Sequence, residues 1–278
     1  MPFIETQPDM YSNAVQLFYE DLGRGRPVVF IHGWPLSHEM WEYQVPAFTD
    51  AGFRCICYDR RGFGKSSRPA SGYDYDTLAA DLKAILDTLD LHDVILVGFS
   101  MGGGEVARYC SRYNCERVSK VALLGSVTPY MYQTPDNPDG VAPEVFAKMT
   151  GQIKEDRMAF LEDFGKQFYG VSMISHPVSN AHLQNDSRLA ALASPLATLA
   201  CAHSFDTTDF RKDMSAIQVP ALIIHGDADK TVPIEASAHR SAAMIPNNEY
   251  IVYQGAPHGF YFTEKQKLNE DLLSFCSK

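Results

Sequence analysis

One serine is framed by glycines in Gly98-Phe99-Ser100-Met101-Gly102, directly after the apolar run Val94-Ile95-Leu96-Val97. A strand that passes through G-x-S-x-G into a helix is the setting of a nucleophile elbow, a sharp turn that lifts a hydroxyl above a sheet. Such a turn strains the serine backbone, and Gly98 and Gly102 then carry no side chain where neighbouring elements crowd in. At a helix N-terminus, Ser100 would also sit beside free N–H groups and a positive dipole end, both of which favour a developing oxyanion. The chemistry is nucleophilic acyl transfer. It requires a base, because an unassisted hydroxyl is a weak nucleophile.

The base and the acid that orients it should follow the serine in the order acid, then histidine, each in a loop after a later strand. The run Ala221-Leu222-Ile223-Ile224-His225-Gly226 ends in Asp227-Ala228-Asp229, and Tyr250-Ile251-Val252-Tyr253 leads into Gly255-Ala256-Pro257-His258-Gly259. His258 is the favoured base because it lies in a Gly/Pro-framed loop after the last strand. His32 and His225 end strands and read as structural. His38, His92, His176, His182, His203 and His239 read as surface or cap residues. Between Asp227 and Asp229 local pattern does not choose.

Rival motifs fail on their own terms. Gly102-Gly103-Gly104-Glu105-Val106-Ala107 matches a dinucleotide fingerprint, but no acid ends the following run near Leu124. Gly64-Lys65-Ser66 lacks the first glycine of a P-loop, since Asp59 stands there. An EF-hand reading of Asp227 and Asp229 would need glycine at Val232. Six cysteines show no paired C-x-x-C spacing. Cys55 and Cys57 alternate in one strand and read as small core residues.

These side chains need a frame to hold them. The chain has 278 residues, 45% of them apolar, enough for one large core with an insertion. Apolar runs at 14–20, 27–32, 53–58, 93–99, 118–125, 220–226 and 248–253 alternate with helical periodicity at 76–90, 102–113 and 264–276. That rhythm predicts an α/β fold with a mostly parallel sheet covered on both faces by helices. From Val127 to about Ser215 no β-run occurs. There Pro143 opens a helix, and Phe146, Met149 and Ile153, then Met158, Leu161, Phe164 and Phe168, fall at helical spacing. We therefore expect a core of residues 1–126 and 216–278 and a helical cap of 127–215, part of which roofs a pocket.

Charge and hydropathy exclude several partners. A net charge of -10 disfavours nucleic acid, and Arg60, Arg61, Lys65 and Arg68 read as a solvated loop. No apolar stretch approaches the roughly 20 residues that span a bilayer. Residues 1–13 lack a signal-peptide pattern, so the expected location is cytoplasmic, away from membranes.

Taken together, His32-Gly33-Trp34, Asp59-Arg60-Arg61-Gly62-Phe63-Gly64-Lys65-Ser66, Gly98-Phe99-Ser100-Met101-Gly102-Gly103, Gly226-Asp227-Ala228-Asp229 with Val232-Pro233, and Pro257-His258-Gly259 resemble the α/β-hydrolase fold over nearly the whole chain. The resemblance is closer to the branch of cofactor-free haloperoxidases, perhydrolases and small aryl esterases. It assigns the acid to Asp229, four residues before Pro233, and makes Asp227 a turn residue. Gly104 departs from the pattern, with no local reason for a third glycine. Dehalogenases of similar fold carry Asp at the elbow, so Ser100 argues against that reaction.

The resemblance also implies the rest of the site. Backbone N–H groups of Trp34 and Met101 would form the oxyanion hole, and Trp34, Pro35 and Phe99 would line an apolar substrate pocket. Pro35 has no N–H and restrains the Trp34 carbonyl. Relatives with Pro at this place resemble perhydrolases, in which that carbonyl can accept a hydrogen bond from peroxide. The expected reactants are a small ester and hydrogen peroxide. No cofactor and no metal is implied, and a homo-oligomer is left open. A receptor on the same fold with a dead triad is the alternative.

Overall fold

The computed structural model describes residues 2–278. Eight strands form one sheet in the order β1-β2-β4-β3-β5-β6-β7-β8. They are β1 (Phe3–Thr6), β2 (Val15–Gly23), β3 (Pro27–Ile31), β4 (Arg54–Tyr58), β5 (Val94–Phe99), β6 (Val118–Leu124), β7 (Ala221–Gly226) and β8 (Asn248–Tyr253). β2 pairs antiparallel with β1 and β4, and β4-β3-β5-β6-β7-β8 are parallel throughout. Every residue of β5 and β7 is buried, as sheet covered on both faces demands.

Side chains divide between the faces with a period of two. Val29, Ile31, Leu96 and Leu123 join one core cluster, while Val28, Phe30, Val97 and Leu124 join the other. Cys55 and Cys57 share the second cluster, as their alternation required. All six thiols are free and buried. The first face is covered by α2 (Tyr75–Thr88) and α3 (Met101–Tyr113). The second carries α1 (Gln44–Asp50) and, near the chain's end, α11 (Lys265–Ser277).

The strandless interval holds α4 (Pro143–Glu155), α5 (Arg157–Phe168), α6 (Asn180–Leu192), α7 (Pro195–Thr207) and the short α8 (Arg211–Met214). Side-chain caps start α5, α6 and α7 at Asp156, Ser179 and Ser194. Pro143 occupies the first turn of α4. The helices α9 (Ala238–Met244) and α10 (Phe260–Thr263) complete the fold. Among the described residues no helix is long and apolar enough to cross a membrane.

Three expectations need correction. β1 lies ahead of 14–20, the first apolar run of the sequence; at four residues on the sheet edge it has too few alternating positions to register. Arg60 and Arg61 are not solvated: they are 1% and 0% exposed, paired with Glu105 and Asp81, while Lys65 and Arg68 face water. His38 is likewise buried, its Nδ1 2.7 Å from Asp59 Oδ1. In each case the partner is remote in sequence, so local polarity misleads.

Candidate active site

Ser100 occupies the turn between β5 and α3 with φ 53° and ψ -117°, a conformation rare for a side chain with a Cβ. The turn is held because Ser100 N–H donates to Leu124 O at 2.8 Å, and the Ser100 carbonyl accepts from Gly103 at 3.0 Å. A Cβ on Gly98 would lie 2.5 Å from Gly102 O, and one on Gly102 2.5 Å from Ile31 O. Gly104 now has a physical account: its Cβ would lie 2.5 Å from Tyr75 Cε1 and 2.7 Å from Phe210 Cζ, both in buried rings.

The loops after β7 and β8 bring the other two residues in. His258 Nε2 lies 2.9 Å from Ser100 Oγ, and His258 Nδ1 lies 2.5 Å from Asp229 Oδ2. The other carboxylate oxygen accepts N–H groups from Thr231 and Val232 at 2.8 Å each. Asp227 does not reach His258; it accepts the Gly255 N–H at 2.6 Å and so ties the β7 loop to the β8 loop. His225, read as structural, has Nε2 3.2 Å from Asp229 Oδ2. Burial opposes ionisation of Asp229, but the His258 and His225 imidazoles hold its carboxyl well below the usual carboxylate range. All three residues are at most 7% exposed.

The loop after β3 lies against Ser100. A Cβ on Gly33 would stand 3.3 Å from Ser100 Cβ. The Gly33 carbonyl accepts from His32 Nδ1 at 2.9 Å and from Leu36 N–H at 3.1 Å. In a planar trans peptide the N–H of Trp34 then projects the opposite way. His32 is locked in turn, since Nε2 accepts the Arg60 N–H at 3.0 Å and Arg60 Nη2 donates to His32 O at 2.7 Å. Burial, with the Arg60 cation adjacent, pushes the His32 imidazole down to about 3, so it is neutral. This positioning network of His32, Arg60 and Glu105 is absent from the sequence reading. The Trp34-Pro35 peptide is cis.

Ser100 opens into a cavity of about 520 Å³. Trp34, Phe146, Phe160, Phe164, Phe205 and Val232 contribute to its walls. Trp34 packs against Phe164 and Phe205, with ring centres 5.2 and 5.5 Å away, and its indole N–H donates to Thr198 O. The helical insertion therefore supplies much of the wall. Two expected pocket residues lie elsewhere. Phe99 is fully buried with its ring centre 5.0 Å from that of His258, backing the imidazole without facing the cavity. Pro35 lines a smaller cavity that shares Phe164 with the first. Among the described residues no cluster of three or more His, Cys, Asp or Glu is arranged to hold a metal ion.

Comparison with known proteins places the fold in a family. Residues 26–265 match the family model described as alpha/beta hydrolase fold. The chain is 46% identical over 276 residues to a putative non-heme chloroperoxidase of Synechocystis sp., covering 99% of each chain. It is 39% identical over 266 residues to a bifunctional esterase/perhydrolase of Acinetobacter calcoaceticus, covering 95% of this chain and 96% of that one. The crystal structure of a bromoperoxidase from Bacillus anthracis superposes with a TM-score of 0.95 at 45% identity, over 99% of this chain and 100% of the other. The chain belongs to the α/β-hydrolase fold family, in the branch that holds non-heme haloperoxidases, perhydrolases and esterases.

Proposed function

We infer that the protein is a serine hydrolase of small carboxylic esters, with Ser100, His258 and Asp229 as its catalytic triad. The observation that carries this reading is the 2.9 Å contact between His258 Nε2 and Ser100 Oγ, at the edge of an apolar cavity. Ser100 Oγ attacks the ester carbonyl while His258 Nε2 takes its proton. The tetrahedral oxyanion faces the N–H groups of Trp34 and Met101, and loss of one such donor costs about 3 kcal/mol in comparable enzymes. Collapse expels the alcohol, which receives the proton from His258 and leaves an acyl-serine. Water activated by the same imidazole then releases the acid. Asp229 holds the imidazole orientation and balances its charge.

Residues 127–215 act as the lid, because they contribute most of the residues that line the cavity, Phe146, Phe160, Phe164 and Phe205 among them. Six buried thiols suit a reducing, cytoplasmic setting. A fluorophosphonate probe tests the nucleophile directly. Labelling at Ser100 that vanishes in Ser100→Ala, together with turnover of a p-nitrophenyl ester panel, is the expected result. A folded wild-type protein that neither labels nor turns over ester would leave a ligand receptor as the surviving account.

Hydrogen peroxide is the second acceptor of the acyl group, giving a peracid in place of the acid. Pro35 after Trp34 favours this reading: with no N–H it donates nothing beside the Trp34 carbonyl, which stays free to accept from peroxide. A peracid would oxidise halide in solution, so halogenation would need no halide site. Pro35→Leu should lower the ratio of peracid formation to ester cleavage, and an unchanged ratio would remove this second reading.

A further inference from the structure

The cavity changes character between its two ends. Near buried Ser100 its wall is aromatic and aliphatic, whereas Lys148, Gln152, Gln167 and Lys230 line it where the side chains face water. Among the described residues no acidic side chain lines the cavity, although the chain carries 34 acids against 24 Lys and Arg. The other rim features do not quench the two cations: among the described residues no carboxylate lies within 4.0 Å of either ammonium. Nearby Lys166, by contrast, is neutralised by Glu162 and Asp163. A protein of net charge -10 thus presents a locally positive mouth leading to its nucleophile.

We propose that the preferred substrates are esters whose far end carries a carboxylate, with the ester at Ser100 and the anion between Lys148 and Lys230. The proposal rests on the ester-hydrolase reading of Ser100. An ionised carboxylate cannot be left among Trp34, Phe160 and Phe164 without a large desolvation penalty. It must reach the rim, where it stays hydrated and meets two ammonium groups. The intervening methylenes then fill the apolar shaft. Chain length and charge are therefore coupled: a monoester of a short diacid strands its charge in the shaft, and a longer one places it at the mouth.

The test uses monomethyl esters of straight-chain diacids, from malonate to sebacate, each paired with the methyl monocarboxylate of equal length. Monomethyl adipate against methyl hexanoate is one such pair. The ratio of kcat/KM, anionic over neutral, should lie below 1 for the shortest pair and rise above 1 once the chain spans the shaft. In Lys148→Gln/Lys230→Gln the ratio for the longer pairs should fall about 10-fold, the combined effect of two partly solvated charge pairs. In the wild type it should also decline as salt is raised, and lose that salt dependence in the double variant. The cationic ester methyl 6-aminohexanoate should gain in the double variant relative to methyl hexanoate. A ratio at or below 1 at every length, or one that the double substitution moves less than about 3-fold, overturns the proposal. Absence of turnover of methyl hexanoate and of serine labelling would instead defeat the ester-hydrolase reading, so the two failures are separable.

Discussion

Glu105→Gln should be far more damaging than its position, one turn into α3, suggests. Glu105 is 0% exposed; its carboxylate accepts from Arg60 Nε at 2.5 Å and from Tyr58 OH at 2.7 Å. The amide keeps the shape but removes the charge, leaving the guanidinium of Arg60, 1% exposed, without its counter-ion. Breaking a buried pair in this way costs about 3–5 kcal/mol. At roughly 2 °C per kcal/mol for a chain of this size, Tm should fall by about 6–10 °C. Replacing both partners, Arg60→Met/Glu105→Leu, removes the stranded charge and should recover at least half of the loss. Urea unfolding followed by far-ultraviolet circular dichroism, and thermal melts, measure both variants. Because Arg60 also holds the His32 imidazole and carbonyl, Glu105→Gln should lower kcat/KM for ester at 20 °C, where the variant stays folded. A Tm within about 2 °C of wild type, or a double variant less stable than the single one, would refute the assignment of a dominant electrostatic role to this pair.

Gly104→Ala should destabilise by about 1–2 kcal/mol in urea unfolding, since overpacking against the rings of Tyr75 and Phe210 outweighs the better helix propensity of alanine; a more stable variant would contradict the close packing. Asp206 is 8% exposed with Oδ1 unpartnered, and burial pushes its carboxyl up to about 7. The unfolded chain titrates there near 3.9, so the folded state holds the proton more tightly, and stability falls as pH rises from about 4 to about 7, then levels. Asp206→Asn should therefore gain about 1–2 kcal/mol at pH 8 and almost nothing at pH 4, and a gain independent of pH would show that the carboxyl is not the cause.

The elements that hold the site were legible because each announces itself locally. Seven of the strands follow from apolar runs, and Ser100 and His258 stand where a strand gives way to a Gly-framed turn. Asp229 needed more, since Asp227 and Asp229 are equivalent to any local rule; resemblance to a family favoured the second, and only folded geometry separates a residue that touches His258 from one that ties two loops.

Periodicity, turn chemistry and the strand-elbow-helix pattern are properties of neighbouring residues, and these the sequence by itself determined: the sheet, its helical cover, and the turns that carry Ser100 and His258. Which surfaces close on one another was decided by the tertiary structure alone. Arg60 and Arg61 look hydrophilic until Glu105 and Asp81 arrive from other elements, Gly104 looks gratuitous until Tyr75 and Phe210 pack on it, and Phe99 looks like pocket lining until the fold turns its ring behind His258. The physical reason is that burial of a charge or a ring depends on partners remote in sequence, and no local pattern carries their identity.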